Sequence, residues 1–113
     1  MSDTSTIVEA TRDNFRELVA QGTVLVDVWG PDCRPCLALF PHVEALAEKY
    51  AGEIQVVKLE APKARRLCME LSIMGMPAFL LFRDGAEVAR LSDPALTPLR
   101  LHQWVEQQRE EVS

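Results

Sequence analysis

Two cysteines separated by two residues, Cys33-Arg34-Pro35-Cys36, are the side chains in this chain best suited to redox chemistry. That spacing lets both sulfurs reach bonding distance on a single helical turn. The run Val24 to Trp29 just before them is short, β-branched and almost continuously apolar, which reads as a buried central strand. After them, Leu39, Val43, Leu46 and Tyr50 recur at helical spacing. The pair therefore opens a helix directly behind a buried strand. A helix N-terminus presents free N–H groups and the positive end of the helix dipole, and both favour a thiolate on the first cysteine. Thiolate is the attacking species in disulfide exchange. Cys33 is accordingly the expected nucleophile, forming a mixed disulfide with a substrate. Cys36, one turn in and more buried, then attacks Cys33 and releases the reduced substrate.

Other uses of these residue types fit less well. A structural zinc site needs about four ligands. Cys68, His42 and His102 are singletons at unsuitable spacing, so no metal and no cofactor is expected. Cys68 reads as a buried apolar cysteine, with a regulatory thiol as the alternative. His42 and His102 read as ordinary helix residues. Three cysteines is an odd number for a disulfide framework, and in a reducing compartment a close pair is more often catalytic or metal-binding than structural.

The elements that must position the pair follow from pattern. At 113 residues the chain is expected to be one domain spanning 1–113, long enough for a single core. Thr11 is placed to cap a helix carrying Phe15, Leu18 and Val19, ended by Gly22. Pro41 falls inside the long helix of residues 33–50 and should kink it rather than end it. Ile54 to Leu59 is a second buried strand, and Pro62 is placed to open a short helix through Leu71. Ala78 to Phe82 and Glu87 to Leu91 form a hairpin about Arg83-Asp84-Gly85. Thr97-Pro98 starts a last helix with Leu101, Trp104 and Val105 inward, and Ile7-Val8 is a short edge strand. The order β-α-β-α-β-α-β-β-α gives a mixed sheet with helices on both faces.

Charge and composition narrow the partners. A net charge of −5 disfavours a nucleic-acid partner, which would want a basic face. The sequence has no run of eighteen apolar residues to span a membrane. Residues 1–6 lack the basic and apolar regions of a secretory signal, so the cytoplasm is the expected location. A monomer is expected.

The stretch Val26-Asp27-Val28-Trp29-Gly30-Pro31-Asp32-Cys33-Arg34-Pro35-Cys36 resembles the active-site segment of the thioredoxin family. Gly75-Met76-Pro77-Ala78-Phe79-Leu80-Leu81-Phe82-Arg83-Asp84-Gly85 resembles a second segment of that family. The resemblance runs from about Ile7 to Val105. It implies the thioredoxin fold: α/β, with a mixed five-stranded central sheet flanked by four helices. It also implies a cis Pro77 facing the cysteines, with Met76 and Pro77 offering backbone groups to an extended substrate. Asp27 matches the family's buried acid. A charge is costly in an apolar strand, and burial would raise its pKa toward that of a proton acceptor for Cys36. The alternative is an exposed strand position, since alternation puts Asp27 opposite Val26 and Val28. Lys58 matches a lysine near that carboxylate, with an ordinary surface lysine as the alternative. Trp29 matches the tryptophan beside the active site, with plain core as the alternative.

Three departures from the family pattern stand out. Asp32 replaces the second tryptophan, Arg34 replaces the glycine between the cysteines, and Ser92-Asp93-Pro94 replaces a glycine of the docking surface. That surface should be more polar and stiffer than usual. The activity implied is reduction of protein disulfides, with electrons supplied by a thioredoxin-reductase-type donor. A disulfide oxidase or isomerase is one alternative, and a binding module that keeps the fold as a scaffold is another.

Overall fold

The structure, a computed structural model, describes residues 7–112. Its centre is β2 (Thr23–Trp29), flanked in the sheet order β1-β3-β2-β4-β5 by β1 (Val8–Ala10), β3 (Ile54–Glu60), β4 (Ala78–Arg83) and β5 (Ala86–Ser92). β3 pairs parallel to both β1 and β2, whereas β4 runs antiparallel to β2 and β5 antiparallel to β4. Four helices complete the architecture: α1 (Phe15–Leu18), α2 (Arg34–Lys49), α3 (Arg65–Glu70) and α4 (Pro98–Val112). This is the expected α/β arrangement, in the expected order.

Helices cover both faces of the sheet because the strands are apolar on both. Val24, Val26 and Val28 pack with Phe15 and Val19 beside α1 and with Leu67, Cys68 and Leu71 around α3. On the other face, Leu25, Val56, Phe79 and Leu81 pack against Leu39, Val43 and Leu46 of α2 and against Leu101 and Val105 of α4. β2 therefore has no solvent face. Alternation puts Asp27 on the same side as Leu25, under α2, and not in water: Asp27 is 1% exposed. Two-sided burial of a strand with parallel and antiparallel neighbours decides against the exposed alternative.

Two element boundaries differ from the sequence reading. The first helix is a single turn, Phe15–Leu18. Thr11 still caps, but it caps the turn that leads in: its Oγ1 accepts from the N–H groups of Asp13 and Asn14, both at 3.2 Å. The helix expected from Pro62 to Leu71 is divided. Ala61–Lys63 is a 3-10 turn, Ala64 takes φ −140° and ψ 47°, and α3 begins only at Arg65. Ala64 is buried there, so packing overrides its helix preference. Pro41 lies inside α2, which continues through it, as its periodicity requires. α4 starts as read, with the Arg100 N–H donating to Thr97 Oγ1 at 3.2 Å. Leu101 and Val105 are buried there, and Trp104 packs half-buried beside them. In the hairpin turn, Asp84 (φ 51°) and Gly85 (φ 91°) are both left-handed, the geometry that suits a tight two-residue connection between twisted strands.

Candidate active site

β2 delivers the chain to the end of the sheet at Trp29. Gly30 follows, packed so closely that a side chain there would meet the Met76 methyl at 3.2 Å and Pro62 Cδ at 3.7 Å. The Gly30 carbonyl accepts the Cys33 N–H at 3.1 Å and so fixes the turn that presents the first cysteine. Cys33 is the N-cap of α2, with extended φ and ψ, and its Sγ accepts the Cys36 N–H at 3.2 Å. A sulfur takes the place usually held by a Ser, Thr, Asp or Asn oxygen. Cys33 and Cys36 are joined in a disulfide, with Cα atoms 5.3 Å apart. Cys33 is half-buried and Cys36 is 1% exposed, which matches the expected division between an accessible and a shielded sulfur.

Beneath α2, Asp27 lies in register with Lys58 of β3 and Phe79 of β4. Its Oδ2 is buried with no hydrogen-bond partner. Burial pushes the Asp27 carboxyl up from 3.8 to about 7, against the opposing pull of the Lys58 charge. Lys58 is half-buried, and its ammonium lies 3.8 Å from the Phe40 ring centroid and 5.1 Å from that of Trp29. Trp29 meets Phe40 edge-to-face at 5.2 Å and also lines an open cleft of about 290 Å³ with Lys58, Glu60 and Lys63. Phe40 is the one side chain of this cluster that the sequence reading passed over. The signal was its spacing, four residues after Cys36 and so on the same helix face.

The Met76–Pro77 bond is cis, as the resemblance implied. Pro77 is buried, and its carbonyl accepts from the Asp93 N–H and the Ser92 hydroxyl, both at 3.4 Å. Asp93 in turn pairs with Arg100 at 2.6 Å, so the departure at Ser92-Asp93-Pro94 is tied to α4. Cys68 is a free, buried thiol on α3, and burial raises its pKa. His42 and His102 meet edge-to-face at 5.9 Å between α2 and α4. Among the described residues no group of three or more His, Cys, Asp or Glu side chains is placed to share a metal ion. Among them, too, no helix is long and apolar enough to cross a membrane.

The thioredoxin family model matches residues 6–107, nearly the whole chain. The chain belongs to the thioredoxin family. Among curated relatives, thioredoxin C-2 of Corynebacterium nephridii is 39% identical over 88 residues, covering 76% of this chain and 82% of that protein. A thioredoxin of Peptoclostridium acidaminophilum is 40% identical over 88 residues, with 76% and 80% covered. One from Buchnera aphidicola is 37% identical over 103 residues, with 89% and 94% covered. The crystal structure of a thioredoxin from Malassezia sympodialis superposes with a TM-score of 0.83 over 96% of each chain, at 20% identity, which bears on the fold alone. Family membership and a cysteine pair at disulfide distance together make this thioredoxin-family chain a thiol–disulfide oxidoreductase, of the protein-disulfide reductase kind.

Proposed function

We propose that the chain reduces protein disulfides with Cys33 as nucleophile, Cys36 as resolving thiol and Asp27 as proton acceptor. The observation that carries the assignment is the N-cap sulfur: Cys33 Sγ already accepts the Cys36 N–H at the start of a sixteen-residue helix. In the reduced protein the same donor and the helix dipole favour a Cys33 thiolate. That thiolate attacks one sulfur of the substrate disulfide, and the other sulfur leaves as a thiolate. Cys36 then gives its proton to the Asp27 carboxylate, and its sulfur attacks Cys33 Sγ. The Cys33–Cys36 bond forms, the mixed disulfide breaks, and the second substrate sulfur leaves. Two electrons have passed from the dithiol to the substrate.

A base that holds its proton at about pH 7 is matched to this exchange near neutral pH. Burial raises the carboxyl and the Lys58 charge pulls it back down. Trp29, Met76 and Pro77 form the docking surface. The Pro77 carbonyl is already engaged and proline has no N–H, so strand-like pairing with an extended substrate falls to Met76. A reductase of the thioredoxin-reductase type returns the couple to the dithiol. One domain acting as a cytoplasmic monomer fits the length and the close cysteine pair, which a reducing compartment keeps available. Replacing Cys36 with serine and adding a disulfide substrate should accumulate a stable mixed disulfide on Cys33. Preferential alkylation of Cys36 in the reduced protein at neutral pH would overturn the assignment.

A further inference from the structure

Phe40 stands one helical turn beyond Cys36 and has no counterpart among the reacting groups. Its ring reaches from α2 to Lys58 of β3. The ammonium sits 3.8 Å from the centroid of that ring, well inside the range of about 6 Å over which a cation is attracted to a π-face. Trp29 closes the other side, at 5.1 Å from the ammonium and 5.2 Å from Phe40. Two rings, set nearly perpendicular, thus share one cation. The lysine stem has four rotatable carbons, so without the rings the charge would have many positions open to it.

The charges around Lys58 show where it would go. Asp27 is its register partner on β2, and Glu9 is its register partner on β1. Glu60 lies two residues along on the same face of β3, and Arg12, Asp13 and Lys63 line the adjoining cleft. The inner carboxylate is dry, whereas Glu9 is exposed and Glu60 half-buried on the solvent side. Glu60 already pairs with Lys63 at 3.5 Å, so a released ammonium gains hydration by turning toward exposed Glu9. It would lose hydration by closing on Asp27.

We propose that Phe40 is a positioning residue that holds the Lys58 ammonium beside Asp27 and thereby governs how readily that carboxylate takes up the Cys36 proton. The inference rests on the role given to Asp27 above. Phe40 touches neither substrate nor reacting sulfur in this scheme; it acts through Lys58. The aromatic face, not apolar bulk, is the property required.

The test follows the Asp27 carboxyl carbon by NMR across pH in the oxidised protein, where neither Cys33 nor Cys36 titrates, with Asp27→Asn identifying the resonance. Phe40→Leu keeps apolar volume and removes the ring. Its Asp27 midpoint should rise by about half a pH unit or more as the Lys58 field is withdrawn. Phe40→Tyr should keep the wild-type midpoint. Lys58→Met should raise the midpoint by itself, and Phe40→Leu should add nothing in that background. A midpoint unchanged or lowered in Phe40→Leu would overturn the proposal, as would an equal rise with Lys58 absent. The role of Asp27 is read separately, from the rate at which Asp27→Asn resolves a mixed disulfide. Resolution at the wild-type rate would remove Asp27 from the mechanism while leaving the titration result to judge Phe40.

Discussion

Replacing Asp27 with asparagine should make the oxidised protein more stable at pH 8, with a relative advantage that grows from pH 5 upward. The unfolded carboxyl titrates at 3.8, and burial moves the folded one to about 7. A folded acid with a raised pKa keeps a proton that the unfolded chain has lost. Stability therefore falls as pH rises from 3.8 to about 7, and above that the full penalty remains. A gap of about three pKa units corresponds to a penalty of ~4 kcal/mol at pH 8, and to less than half of that at pH 5. Asparagine has nearly the same shape and never ionises, so it removes the penalty. Its amide, placed where Oδ2 lacks a partner, costs about 1–3 kcal/mol at every pH. The pH-dependent part survives that offset: between pH 5 and pH 8 the mutant's advantage should grow by ~2–3 kcal/mol. Denaturant melts of both oxidised proteins at the two pH values measure it directly. An advantage that stays flat between pH 5 and pH 8, or shrinks, would refute the buried-acid reasoning. The same variant should reduce insulin disulfides more slowly, because Cys36 loses the proton acceptor proposed for it.

Two further outcomes rest on single residues. Arg34 sits at the first position of α2, next to Cys33, and a cation there favours a Cys33 thiolate and makes the couple more oxidising. Arg34→Gly should move the reduction potential to a more negative value by ~10–30 mV, measured against a glutathione series, and a less negative potential would count against the effect. Gly85 has φ 91° in the hairpin turn at the end of the sheet opposite the cysteines. Gly85→Ala should cost about 1 kcal/mol in a denaturant melt while leaving the rate of disulfide reduction unchanged.

The site was legible where the chemistry lies in local sequence. Cys33 and Cys36 announce themselves by spacing and by the strand before them, and the cap geometry follows from that placement. Asp27 needed more, because strand alternation taken alone permits a solvent face. What removes it is helix cover on both faces of the sheet, α2 and α4 on the side of Asp27 and α1 and α3 on the other, a packing between distant segments. Lys58 shows the same limit: its alignment with Asp27 is a register, and register is set by whole strands rather than by the residue. Phe40 looked like one more apolar residue in an amphipathic helix, since the cation it faces is on another element. The break at Ala64 was hidden for a related reason. Pro62 signals a helix start, but burial of Ala64 decides where the regular helix begins.

The reduction potential of the Cys33–Cys36 couple tests most directly whether this chain works as a reductant. Thioredoxins in general poise near about −270 mV, a family value rather than one derived from this structure. Equilibration of the protein with defined glutathione mixtures, read by alkylation of the two thiols, should place the couple close to that value. A couple between about −120 and −180 mV, where oxidases and isomerases lie, would contradict it.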